Sequence, residues 1–479
     1  MLIKNIYVYN ETGVKELKHV QINDGTKVIF DVDDDLSHLQ ERKVIDSEDN
    51  YFLMPGMLDS HVHGQGGIDF ADLGDEDSDE ELEHIVKALG KTGLSYALAT
   101  LVSMPITSLK KSLQKINDFI QKQENNPSAG CTQLVGVHLE GPFISKTCKG
   151  AHAEDALQNS ISMKEFRDII SVAPNIKHWK ITIAPDLPGA EDFIKQTKEL
   201  EQEGIFVKVF IGHCNPENKE DIGRAIAAGA CGFTHLGNAC QESCSRETRE
   251  LTSNDAKSHV VQWILENPTH CPPGVELIVD RVHLSPSFIS LIHNAIKSKI
   301  ILVTDALGPT GCMDGSYKLG TLDIRKEQNN FYLADTEGHF LLKEGILPSG
   351  EKGLVKTLAG SATPLSLCAQ NYFELMPHTT AEDNMDLLYA ALITNPRMTS
   401  LSIEAIHKLP DDKNFSNFNK DGQLILSSCQ GKVVEHSQAQ QSISEMLVHS
   451  FLSQSSMREK RSPEAKTNEQ NGVPLFGSQ

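Results

Sequence analysis

The sequence lacks any apolar run approaching the roughly 18 to 20 residues needed to cross a bilayer, so no membrane span is expected within it. It opens on Met1-Leu2-Ile3-Lys4-Asn5, without the basic segment and apolar stretch of an export signal, and the expectation is a cytoplasmic protein. Basic residues are scarce: 44 against 65 acidic ones leave a formal charge of −21. Such a balance repels polyphosphates and anionic lipid surfaces, which argues against nucleic acid and membrane as partners. CxxC pairs are missing too. The 10 cysteines are scattered along a chain large enough not to need disulfide staples, so reduced thiols are expected. Cys240 and Cys244 are close enough in sequence to be weighed as metal ligands, but two thiols beside a loop is the simpler reading.

What is present is length and a buried-core composition. With 479 residues, 39% of them hydrophobic, the chain has room for one barrel-sized catalytic domain and a smaller companion. Residues 2–8, 20–32 and 43–53 read as short strands between Asn/Asp/Gly turns, a small β-domain ahead of the main body. From Tyr51 to Asp305 the pattern changes to apolar, β-rich runs that end in polar residues and are each followed by a helix-like segment. The strand candidates are 52–59, 96–103, 134–140, 180–185, 207–213, 232–235, 275–280 and 300–305; eight such units predict an α/β fold, a closed (β/α)8 TIM-like barrel. Beyond Asp305 an irregular stretch is expected through Leu347, then helix-like runs at 354–375 and 385–393 and strand-like ones at 423–427 and 432–434. These last strands would return to the first ones, giving a small β-sandwich domain formed from both chain ends. The expected division is 1–53 and 401–435 for the small domain, 54–400 for the barrel, and 436–479 for a polar tail too poor in apolar residues to form a core, predicted to be disordered.

In a (β/α)8 barrel the loops after the strands converge on one rim, and chemistry gathers there. His61, His63, Glu140, His213, His235 and Asp305 all fall at or just beyond predicted strand ends. His61 and His63 stand two residues apart on a strand, so both side chains point to the same side of the pleat and can grip one cation. Neutral imidazole suits zinc or iron, and a carboxylate can bridge two ions. A lone histidine is more often structural than a ligand; four of them with a Glu and an Asp on one rim are hard to obtain by chance.

Pro55-Gly56-Met57-Leu58-Asp59-Ser60-His61-Val62-His63-Gly64 resembles the first-strand signature of the amidohydrolase superfamily. His138-Leu139-Glu140-Gly141-Pro142-Phe143 with Lys149-Gly150-Ala151-His152 is similar to the specific signature of the N-acetylglucosamine-6-phosphate deacetylase family. Gly212-His213, Thr234-His235-Leu236-Gly237-Asn238-Ala239, Thr304-Asp305-Ala306 and Leu358-Ala359-Gly360-Ser361 continue the resemblance in order, from about Met1 to Leu401. It implies that Glu140, His213 and His235 hold a catalytic divalent metal, with His61 and His63 holding a second ion where two are bound, Zn²⁺ or Fe²⁺ in either case. Asp305 would sit at the metal and act as general base and then general acid, and His152 would polarise the acetamido carbonyl. Ala151 and His152 would lie near the acetamido end, Asn238, Ala239, Arg246 and His283 around the sugar phosphate, and Leu358, Ala359 and Gly360 along the sugar. A homodimer is implied as well, because in relatives the equivalent arginine can reach across a subunit interface.

Taken alone, Arg246 within Ser245-Arg246-Glu247-Thr248-Arg249-Glu250 reads as a solvated charge; the spacing within the resemblance assigns it to phosphate. Three departures stand out. Arg281 follows Asp280 where the family has glycine, Gly237 and Cys240 replace bulkier residues beside Asn238-Ala239, and the chain between Tyr317 and Leu354 is longer than the family's connection. Other readings are a deacetylase of N-acetylgalactosamine 6-phosphate, a cyclic amidase, or a non-catalytic binding module on the same barrel. A cyclic amidase would carry a bridging carboxylated lysine on the fourth strand, and Lys180 is expected at the wrong end of that strand for the part.

Overall fold

The computed structural model describes residues 1–436 apart from 11–12, 40–42, 49, 74–77, 241–243, 248, 329, 347–351 and 377–379. Of the polar tail predicted to be disordered, all but His436 lies outside the described residues.

Eight parallel strands follow one another in chain order around one sheet: Leu58–Val62, Tyr96–Val102, Gln133–Glu140, His178–Ile183, Phe206–Ile211, Gly232–Phe233, Val275–Ile278 and Ile300–Val303. A parallel bridge between Val62 and Ala306, just past the eighth strand, closes the ring. The second strand, Tyr-Ala-Leu-Ala-Thr-Leu-Val, is buried at every position, the near-continuous apolar run expected where helices cover a parallel sheet. Helix Ile106–Asn125 shows the complementary pattern, burying Leu109, Leu113, Ile116 and Ile120 at helical spacing. This is the predicted barrel, and the strand ends fall close to where the sequence puts them.

The second large sheet is eight-stranded and mixed, drawn from both chain ends. Its path runs Lys432–Glu435, Leu424–Cys429, Phe415–Asn419, Tyr51–Pro55, Leu2–Tyr9, Lys15–Asn23 and Thr26–Asp31, with Val44–Asp46 beside Leu2–Tyr9. Its core gathers Ile3, Ile6, Val20, Leu53, Phe415 and Leu426. The single strand predicted over 52–59 is two strands in two sheets: Tyr51–Pro55 pairs with Phe415–Asn419, and Leu58–Val62 opens the barrel. Gly56 lies at the switch, where a Cβ would come within 2.4 Å of the Ser95 side chain, so only glycine lets the chain pass.

The stretch after Asp305 is not irregular. Gly315–Leu319, Leu322–Glu327, Asn330–Leu333 and Leu358–Ser361 form a four-stranded sheet, and Leu342–Ile346 pairs with Lys352–Lys356 in a hairpin. These strands carry lysine, aspartate and glutamate on half-exposed faces, which gives them the composition of loops. The predicted helix over 354–375 begins only at Leu365, after Pro364, because residues 352–361 are taken up in strand pairing.

Candidate active site

The rim residues are set by how each strand ends. His61 lies near the end of the first strand and His63 one residue past it, their Nε2 atoms 3.3 Å apart, and Glu140 ends the third. His213, His235 and Asp305 each stand two residues past their strands, with φ of 48°, 27° and 50°. Left-handed backbone is costly for side chains with a Cβ, and three such residues on one rim mark a place where the surrounding structure imposes the turn. For Asp305 the constraint is visible: its N–H donates to the His61 carbonyl at 2.9 Å, and its own carbonyl accepts from Ser361 N–H at 2.9 Å.

Glu140 is the centre of the cluster. Its Oε1 lies 2.9 Å from His235 Nε2, 3.0 Å from His213 Nε2 and 3.4 Å from His61 Nε2, and its Oε2 lies 3.3 Å from both His63 and His152 Nε2. Asp305 Oδ1 is 3.1 Å from His63 Nε2 and 3.5 Å from His61 Nε2. Burial alone would raise the Glu140 carboxyl, but the charges of His61 and His152 and hydrogen bonds from His152 and His213 hold it well below the usual carboxylate range. Burial would lower His61, yet Glu140 and Asp305 push it up to about 9, and His63 rises for the same reason. His152 is different: burial pushes it down to about 4 against the pull of Glu140. Its Nδ1 accepts from Ser103 N–H at 3.1 Å, so in the neutral ring the proton sits on Nε2, facing the cluster.

The donor chemistry fits a divalent cation. His213 and His235 Nε2 are 2.9 Å apart and each within 3.0 Å of one Glu140 oxygen, a convergence of nitrogen and oxygen donors that one cation can share. His213 Nδ1 lies 2.9 Å from the Cys148 carbonyl, which fixes the proton there and frees Nε2 to ligate. Two sets, His61 with His63 and Glu140, and Glu140 with His152 and His213, each bring their ligand atoms within 4.8 Å of one another. Neither Cys240 nor Cys244 belongs to either set.

The predicted residues meet in one pocket. His63, Glu140, His213, His235 and Asp305 form its floor, with Ala151, His152, Asn238, Ala239, Arg246, His283, Leu358, Ala359 and Gly360 around it. His61 is the exception: it is fully buried beneath the floor. Leu358, Ala359 and Gly360 reach the pocket because their strand docks beside the eighth barrel strand through the Ala306–Ser361 bridge. His283 is oriented by Asp280, whose Oδ2 lies 2.7 Å from its Nδ1.

Sequence reasoning missed Lys343 and Thr357 in the pocket wall. It also missed a buried ionic group under the site. Lys180 does not approach the rim; its ammonium is fully buried and pairs with Glu276, which also accepts from Ser60 Oγ at 2.8 Å and lies 3.5 Å from His61 Nδ1. The signal was available as two charges of opposite sign within otherwise apolar strands, Trp179-Lys180-Ile181 and Val275-Glu276-Leu277. Arg281 faces away from the pocket, to Asn371 at 2.7 Å and to Glu374, and its φ of 67° is where glycine would rest without strain. At Gly237, with φ of 91°, a Cβ would meet Phe288 and Ser245 at 2.9 Å, so Phe288 already fills the space that the missing side chain seemed to leave.

No family model matches the chain. The N-acetylglucosamine-6-phosphate deacetylase of Vibrio furnissii is 33% identical over 276 residues, 58% of this chain and 62% of that protein. The chain thus aligns with somewhat less than two thirds of the Vibrio protein's length. The enzyme of the same name from Caenorhabditis elegans is 30% identical over 329 residues, 67% of this chain and 72% of that one. The chain belongs to the N-acetylglucosamine-6-phosphate deacetylase family. Within reach of that family, the N-acetylgalactosamine-6-phosphate deacetylase of Escherichia coli O157:H7 is 26% identical over 338 residues, 71% of this chain and 76% of the other. The fold is shared with a mutant N-acetyl-D-glucosamine-6-phosphate deacetylase from Mycobacterium smegmatis solved in complex with N-acetyl-D-glucosamine-6-phosphate, at a TM-score of 0.65, 22% identity, and 91% and 99% coverage of the two chains. As in the deacetylase family's metal-dependent enzymes, the rim offers a His/Glu group able to bind metal.

Proposed function

We propose that the chain hydrolyses the acetamido group of N-acetyl-D-glucosamine 6-phosphate to D-glucosamine 6-phosphate and acetate, a step of amino-sugar catabolism and recycling. The observation that carries the reading is one pocket with two chemistries: a carboxylate and imidazole cluster on the floor, and Arg246 and His283 in the wall. Amide hydrolysis needs activated water, a polarised carbonyl and a proton for the leaving amine.

Glu140, His213 and His235 would hold a divalent cation, with His61 and His63 available to a second; Zn²⁺ and Fe²⁺ both suit this donor set. When bound, the cation supplies Lewis-acid activation of water and carbonyl. Asp305, whose side chain is 12% exposed against 4% for Glu140, is the carboxylate more open to the pocket. Burial would raise it, but His61 and His63 hold it below the usual range, so at neutral pH it is ionised and able to take a proton from the attacking water. The same carboxyl then returns the proton to the amine nitrogen as the C–N bond breaks. His152, neutral and with Nε2–H directed inward, donates to the carbonyl oxygen as it becomes negative. Ala151 borders the acetamido end, Asn238, Ala239, Leu358, Ala359 and Gly360 enclose the sugar, and Arg246 and His283 take the phosphate. We further read the enzyme as a cytoplasmic homodimer, supported by its 10 free thiols for the compartment. Light scattering of the purified chain checks the dimer.

The test is acetate release by metal-loaded protein from N-acetylglucosamine 6-phosphate, N-acetylgalactosamine 6-phosphate and unphosphorylated N-acetylglucosamine. Release should be fastest from the first, and Asp305→Asn should lower kcat by roughly 10²- to 10⁴-fold with the circular dichroism spectrum unchanged. No acetate from any of the three by folded, metallated wild type overturns the reading. The likeness to the Escherichia coli enzyme keeps the galactosamine epimer as a second reading, and the ratio of the two rates decides it.

A further inference from the structure

The family's phosphate end does not account for Lys343. This residue lies on the Leu342–Ile346 strand of the hairpin, within the stretch that is longer than the family's connection, and its side chain lines the same pocket as Arg246 and His283. The hairpin's other lysine near the pocket is already committed. Lys356 pairs with Glu327, and its ammonium stands 3.9 Å from the Phe340 ring centroid and 5.0 Å from that of Tyr332. Lys343, opposite Val355 in the hairpin register, forms no ion pair among the described residues, and neither does Arg246. Two cations therefore line one pocket, in a chain whose formal charge is −21, and the carboxylate that acts on Arg246, Asp280, is taken up by His283 at 2.7 Å. Burial holds the Arg246 guanidinium below its ordinary range. Two cations gathered in one pocket of an acidic protein suit a small dianion, and a phosphate monoester carries about −1.5 to −2 charges at neutral pH.

We propose that Lys343 is a second phosphate-binding cation, contributed by the Leu342–Ile346 hairpin strand and acting with Arg246 and His283 of the same chain on the phosphate of the substrate. The proposal rests on the deacetylase reading for the sugar, but the anion site stands by its own geometry. The wall on that side is continuous with the hairpin: Thr357 and Leu358, which follow its second strand, line the pocket too. Thr357 is fixed there by backbone hydrogen bonds, donating to Leu341 and accepting from Leu333 at 2.9 Å each. Lys343 is exposed at the pocket mouth, so it meets the phosphate while Asp305 and His152 face the acetamido group below.

Lys343→Met keeps the length of the side chain and removes the charge. With N-acetylglucosamine 6-phosphate, KM should rise about tenfold while kcat stays within twofold, the pattern of a lost binding contact. With unphosphorylated N-acetylglucosamine, kcat/KM should not change, and Lys343→Arg should restore KM to within about threefold. In parallel, calorimetry with inorganic phosphate on the metal-loaded wild type and Lys343→Met should show about tenfold weaker binding in the variant. Equal phosphate affinity of the two proteins, or a KM unchanged in the variant, overturns the proposal. If the wild type binds phosphate more tightly than the variant but releases no acetate, the assignment of Lys343 stands and the deacetylase reading is what fails.

Discussion

Two ionic groups lie buried inside the same barrel, one above the other, and they are built on opposite plans. In the lower one Glu276 faces Lys180, and its remaining capacity is used by Ser60 Oγ at 2.8 Å and His235 N–H at 3.4 Å. Burial would raise Glu276, but the Lys180 charge holds it down to about 2. In the upper one Glu140 and Asp305 face only imidazoles: among the described residues no lysine or arginine pairs with either. A group that carries its own counter-charge is complete when the chain folds. A group of carboxylates and imidazoles is completed from outside, by protons or by a cation, and that difference separates scaffold from site.

The contrast can be broken most severely from above. Glu140→Gln removes the charge on which five imidazoles converge; metal per chain, measured by mass spectrometry, should fall to background, and acetate release should disappear with it. Below, Lys180→Met leaves Glu276 buried and unpaired, and a loss of roughly 3–5 kcal/mol in denaturant unfolding is expected, with metal per folded chain unchanged. Adding Glu276→Leu should recover most of that loss, since an apolar pair tolerates burial better than one charge alone. If Lys180→Met instead strips the metal, the two groups are one network and the contrast fails. The smallest effect is expected at the boundary of the site: Ser103→Ala deletes one of two contacts to His152 Nδ1 but keeps the backbone N–H, so kcat should drop by only about two- to threefold.

The same division explains what could be read in the sequence. The barrel strands were legible because burial on both faces writes them as apolar runs, and the rim residues because polar side chains interrupt those runs at their ends. The positions of His213, His235 and Asp305 relative to one another depend on left-handed turns, which no periodicity encodes. Strands such as Gly315–Leu319 and Leu322–Glu327 were hidden, since their alternation of charged and apolar residues is too short to stand apart from loop composition. Lys343 was invisible for that reason: it belongs to the pocket only through a hairpin read as irregular chain. Arg281 was legible as an oddity but not as an outward-facing one, because its partners Asn371 and Glu374 are about ninety positions further along.

The closure of the ring has a consequence for the order of events in folding. Thr304 Oγ1 donates to Asp59 Oδ2 at 2.6 Å across 245 residues of chain, and the bridge from Val62 to Ala306 lies beside it. Contacts so distant in sequence are slow to form, because the loop entropy they cost must be met before they stabilise anything. His61 and His63 meet Asp305 only where the first and eighth strands join, so this part of the site depends on closure of the ring rather than on any local segment of the chain.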